Sequence, residues 1–184
     1  MRTVGLSLGH RTDEEAEHWL RDTVRPLGLP GMVACTHLVR EPWPHVAISL
    51  TVAKADVGRA GPGRGTSPAG RPSWLPATPA ELCAAAEYAA TEHAALRSGR
   101  AVLFPGVERL TGAVTVGELL AASAIDQVIL LGGEPADAED LVLTRDFVRP
   151  QWRDRLLTLI VTPAGPGRVA PFEVPNPTPC CADH

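Results

Sequence analysis

Lysine is all but missing from this chain: of seventeen basic residues only Lys54 is lysine. The net charge is −4, the pI is about 5.8, and no stretch gathers positive charge. A nucleic acid or an anionic membrane surface needs clustered positive charge, so neither is an expected partner. The arginine bias accompanies abundant Ala, Pro and Gly, the usage of a GC-rich bacterial genome, and is not a sign of phosphate binding. Long apolar runs are absent as well. The most strongly apolar, residues 128–131, has the length of a buried strand, and every run falls far short of the roughly 18 to 20 residues that span a bilayer. The first ten residues hold no hydrophobic signal segment, and a cytoplasmic protein is the expectation. Cysteine is scarce, with four residues in 184. In a reducing compartment these are thiols, ligands or catalytic groups rather than a disulfide framework.

What is present describes a globular protein. Apolar residues make up 45% and charged residues 21%, enough for a hydrophobic core, and the length suits a single domain over 1–184. Residues 3–8 alternate as a first strand. Thr12 and Glu15 have the spacing of a capping box, predicting a helix whose face carries Ala16, Trp19, Leu20, Val24 and Leu27. Residues 32–39 and 45–53 read as a hairpin around the Pro-restricted loop 40–44. Period-2 alternation puts Cys35, His37 and Val39 on one face of its first strand. Residues 56–79 are a flexible Gly/Pro-rich loop. It lacks the lysine and the strand-to-helix context of a phosphate-binding loop.

Thr78 and Glu81 have the spacing of a second capping box, before a helix lined by Leu82, Ala85, Ala86, Ala89, His93 and Leu96. A strand at 100–104, a third capping box at Thr115 and Glu118, and the apolar strand 126–131 suggest a β-α-β crossover with that last strand near the sheet centre. Residues 156–162 and 169–174 read as a terminal hairpin. The fold class expected is mixed α/β: one mixed sheet, about three helices, an antiparallel C-terminal hairpin and an extended Pro-rich tail at 171–184.

That tail ends in Cys180, Cys181 and His184. Two adjacent thiols and an imidazole at this spacing suit a zinc or copper site, and Cys35 with His37 can supply its other half. Four ligands would make the site structural, and an open position would make it catalytic. The adjacent thiols also permit a vicinal disulfide and redox chemistry. The Pro-rich tail alternatively suits docking to a partner protein. His10, at a strand end, and the Gly132-Gly133 turn are further places where a small molecule could approach. No catalytic residue is diagnosed by spacing.

Overall fold

The computed structural model describes residues 1–53, 72 and 74–175. Ten strands and three α-helices follow in order: β1 (Arg2–His10), α1 (Asp13–Trp19), β2 (Val33–Val39), β3 (His45–Val52), α2 (Cys83–Ala94), β4 (Arg100–Leu103), β5 (Ala113–Thr115), α3 (Val116–Ala122), β6 (Gln127–Leu130), β7 (Leu141–Leu143), β8 (Gln151–Arg153), β9 (Leu156–Gly165) and β10 (Arg168–Pro171). The class is the mixed α/β one expected. The chain divides into two compact units, the first Met1–Pro105 with Gln151–Leu156, the second Gly106–Pro150 with the chain from Leu157. Among the described residues no helix is long and apolar enough to cross a membrane.

In the first unit the strands run β1-β3-β2-β4-β8, each pair antiparallel. The expected hairpin is β2 and β3, in register from Val33 opposite Thr51 to Val39 opposite His45. Alternation sorts the two faces. Val4, Leu6, Ala34, Ile48, Leu50 and Val52 lie on one, where Ala16, Leu20 and Val24 from α1 and the turn after it complete an aliphatic core. Burial contributes roughly 1.5–3 kcal/mol for each of the larger side chains. Thr12 caps α1 by accepting the Glu15 N–H at 3.2 Å, while the Glu15 carboxylate takes the Arg11 N–H at 2.7 Å. Beyond Trp19 the helix loosens into a π turn over Leu20–Val24 and a 3-10 turn over Arg25–Leu27, and Leu27 is only half-buried.

The other face is small and polar, with Gly5, Ser7, Cys35, His37, Ala47, Ser49 and Thr51. Helix α2 lies on it through Ala85 and Ala89. The approach is so close that a Cβ on Gly5 would sit 1.8 Å from the Ala86 carbonyl oxygen. Gly5 and the alanines thereby let the α2 backbone come down onto the strands. The second capping box does not form as spaced. Pro79, extended at ψ 144°, is itself the N-cap of a 3-10 turn over Ala80–Leu82, without a side-chain cap.

The second unit pairs β5 antiparallel with β7, β7 parallel with β10, β10 antiparallel with β9, and β9 parallel with β6. The β9–β10 pair is the expected C-terminal hairpin. Thr115 and Glu118 form a complete capping box at α3. Strand β6 corrects the expectation of a central strand in a crossover from β4. Its ladder partner is β9, later in sequence, and among the described residues it has no second one. Only Val128 in it is buried, and apolar composition carries no information about the number of neighbouring strands.

Candidate functional site

The polar residues under α2 join into one chain of hydrogen bonds. Cys35 and His37 share a face of β2, as alternation predicts, and Cys35 pairs with Ser49 across the ladder while His37 pairs with Ala47. The His37 ring leans diagonally, so that its Nε2 meets Ser49 Oγ at 2.7 Å. Ser49 Oγ also meets His93 Nδ1 at 2.7 Å. On its far side His93 Nε2 meets Thr51 Oγ1 at 3.1 Å, and Thr51 Oγ1 meets Thr3 Oγ1 at 3.2 Å. Five residues from β1, β2, β3 and α2 are thus linked in sequence. Ser49 is fully buried, and His93 and His37 are 1% and 5% exposed. His93 reaches the sheet hydroxyls because α2 descends onto Gly5.

Gly99 and Trp152 close the chain from above. With φ +127°, Gly99 passes so near that a Cβ there would lie 2.8 Å from His37 Cε1 and 3.1 Å from Cys35 Cβ. Trp152 lies against His93, ring centres 6.1 Å apart and planes tilted by 36°. Among the described residues its buried indole N–H has no hydrogen-bond partner. His37, Tyr88, Ser98, Gly99, Gln151 and Trp152 are among the walls of a cleft of about 360 Å³. A second, more apolar hollow of about 430 Å³ shares Leu38 and Tyr88 with it and is floored by Val39, Ala84 and Ala85. Thr36 also lines the cleft, and its buried hydroxyl lacks a partner among the described residues. Arg100, another wall, pairs with the buried Glu17 at 2.6 Å.

Burial sets the protonation of this cluster. His37 is lowered to about 4 by loss of solvent, which outweighs the opposing pull of the Glu92 carboxylate. His93 is lowered to about 4, first by burial and then by the neighbouring His37. Glu92 is held below its ordinary value mainly by the Arg97 hydrogen bond, with Ser98 adding to it. Burial pushes the Cys35 thiol far upward, only partly offset by the nearness of Trp152 and Ser49. Near neutral pH the site therefore holds two neutral imidazoles and an un-ionised thiol. His37 uses Nε2 toward Ser49, leaving Nδ1 for a ligand.

Of the residues read from sequence, Cys35 and His37 come together here. Cys180, Cys181 and His184 lie outside the described residues, as do residues 56–71 and 73 of the Gly/Pro-rich loop and 176–184 of the tail. Among the described residues no three His, Cys, Asp or Glu side chains gather as a metal-binding group. Cys83 is exposed at the start of α2. His10 ends an antiparallel strand, so the rule for ligands at parallel strand ends does not reach it. Its Nδ1 is buried without a partner among the described residues, and its ring lies 6.4 Å from Trp19. Gly132-Gly133 makes a tight turn closed by the Gly133 N–H on the Leu130 carbonyl at 2.8 Å.

Ser49, Thr51, Thr3, Gly99 and Trp152 were not legible as site residues. Alternation along β3 carried part of the signal, since it groups Ser49 and Thr51 with Ala47 on one face. The chain matches no protein-family model, no curated protein and no solved structure.

Proposed function

We propose that the first unit is an acid–base site for a small organic molecule, with His37 as the group that exchanges a proton with it. The supporting observation is the hydrogen-bonded imidazole of His37 in the wall of a cleft, neutral near pH 7 because it is buried. A neutral imidazole has a free lone pair and acts as a general base, an effect worth typically about 10²–10⁴-fold in rate. The Trp152 N–H, buried and without a partner among the described residues, is a donor for a carbonyl or carboxylate oxygen. The adjoining hollow floored by Val39, Ala84 and Ala85 suits an apolar substituent. The substrate class is therefore a carbonyl compound with an apolar arm, acted on in the cytoplasm without nucleic acid or membrane. A fragment set of carboxylates and ketones, followed by chemical-shift mapping, tests the reading. Shifts at His37, Gly99 and Trp152 that vanish in His37→Gln support it; undiminished binding in His37→Gln, or no binding at all, counts against it.

A second reading rests on the convergence of His37 and Cys35 beneath Gly99. Two side chains of ligand type meeting at one point suit half of a zinc or copper site, with Cys180, Cys181 and His184 as the other candidate ligands. Binding would have to release the Cys35 proton that burial retains. Elemental analysis of reduced protein with a removable N-terminal tag decides it. About one zinc or copper per chain, lost in Cys35→Ser, supports this reading, and metal-free protein after reconstitution refutes it.

A further inference from the structure

The hydrogen-bond chain has a property that no single bond in it reveals. Ser49 and Thr51 each have one proton and two partners within the chain. Each hydroxyl has two lone pairs and can accept from both neighbours, but its own proton then has no acceptor in the chain. To place that proton it donates to one neighbour and accepts from the other, as a neutral imidazole does with its two nitrogens. Only two orders make all the bonds and also give the Ser49 and Thr51 protons an acceptor in the chain. In the first, His37 Nε2–H donates to Ser49, Ser49 to His93 Nδ1, His93 Nε2–H to Thr51, and Thr51 to Thr3. In the second every donor is reversed: Thr3 donates to Thr51, Thr51 to His93 Nε2, His93 Nδ1–H to Ser49, and Ser49 to His37 Nε2. The first order leaves His37 Nδ1 bare, and the second leaves it protonated.

We propose that Thr3, Thr51, His93 and Ser49 form a proton relay that sets the tautomer of His37 and carries its proton to the edge of the first unit. The step balances without any further reactant. A proton from a molecule in the cleft binds His37 Nδ1, and the Nε2 proton passes to Ser49. The Ser49 proton passes to His93 Nδ1, the His93 Nε2 proton to Thr51, and the Thr51 proton to Thr3. The Thr3 proton leaves to water. One proton enters and one leaves, both imidazoles exchange tautomer, and no buried ion persists. That matters because burial disfavours the imidazolium at both positions. Thr3 suits the exit, being half-buried on β1, the strand that begins the order of the first unit. The transfer crosses from β2 to β1, about 10 Å at ordinary strand spacing.

The use of the relay in proton transfer rests on the reading of His37 as the acid–base group, but its existence is testable without any ligand. Nitrogen-15 NMR of the imidazoles at neutral pH reads which nitrogen carries the proton. Thr51→Val removes the hydroxyl beside His93 and touches nothing on His37. Buried N–H groups are left orphaned more rarely than acceptors, so the variant favours the order in which His93 carries its proton on Nδ1. His37 Nε2 should then move to the position of an unprotonated nitrogen, and Nδ1 to that of a protonated one. Thr3→Val, a milder change at a half-buried site, should displace His37 in the same direction by less. In a Ser49→Ala background both effects on His37 should disappear while that on His93 persists.

Folded Thr51→Val and Thr3→Val proteins in which His93 changes and His37 does not would overturn the relay and leave the cleft reading standing. Coupled tautomers beside a cleft that binds none of the fragments would sink the cleft reading alone.

Discussion

Acid should weaken the first unit well before its carboxylates are protonated. His37 and His93 titrate near 4 when folded, against an ordinary value of 6.5. A base whose folded value is depressed is neutral in the native state, so the unfolded chain takes up protons first as the pH falls. The stability contribution is intact above about pH 6.5, declines through the window from 6.5 to 4, and changes no further below it. At about pH 5 each imidazole costs roughly 2 kcal/mol relative to neutral pH, and the pair about 4 if they act independently. That is a large share of the roughly 5–15 kcal/mol that holds a domain together. Glu92, also depressed, acts in the same direction but only once the pH falls below its ordinary 4.5. Urea denaturation at half-unit steps from pH 7.5 to 4.5 measures the slope, which should approach two protons per molecule near pH 5. His93→Gln retains side-chain hydrogen bonding to Ser49 and Thr51 without a titrating ring and should remove about half of the slope. A flat profile from pH 7 to 5, or an unchanged slope in His93→Gln, would refute the placement of both rings as buried and neutral.

Four further substitutions test the packing. Gly5→Ala drives a methyl into the Ala86 carbonyl oxygen at 1.8 Å and should cost about 3 kcal/mol or more, overpacking against backbone being at the upper end of that class. Gly117→Ala in α3, where the nearest atom is an ordinary 3.5 Å away, should be neutral or gain up to about 1 kcal/mol, and calorimetry of the pair tests the contrast. Glu17→Ala removes the buried carboxylate that Arg100 meets at 2.6 Å and Arg21 at 3.6 Å and should cost about 1.5–3 kcal/mol, the worth of a hydrogen bond to a charged group, as read by urea midpoint. Gly99→Ala, strained at φ +127° and 2.8 Å from His37 Cε1, should turn the His37 ring and abolish fragment binding in the cleft. Wild-type affinity in that variant would contradict the site geometry.

Local chemistry made much of the fold legible. Thr115 and Glu118 close a full capping box because both members lie within one turn. The β2–β3 hairpin follows from its short Pro-containing loop, and alternation correctly placed Cys35 and His37 on one face. Where two local preferences compete, the outcome moved by a residue or two. At Thr78 the extended Pro79 takes the N-cap position, and at Glu15 the carboxylate turns to the Arg11 N–H. Long-range pairing was not legible, since the apolar run in β6 is compatible with any neighbour and found its partner in β9. The site shows the same division. The half on β2 was readable, but Ser49 and His93 lie 44 residues apart, and they meet only because Gly5 lets α2 settle on the sheet.

The account stands most directly on the protonation of His37. Following the Cε1–H resonance of each histidine by NMR from pH 8 to 3.5, with His37→Gln and His93→Gln for assignment, measures it. His37 and His93 should stay neutral through pH 6 and begin to titrate only toward about pH 4. A His37 midpoint near 6.5 would place the ring in solvent, outside the hydrogen-bond chain, and would contradict both the cleft site and the relay.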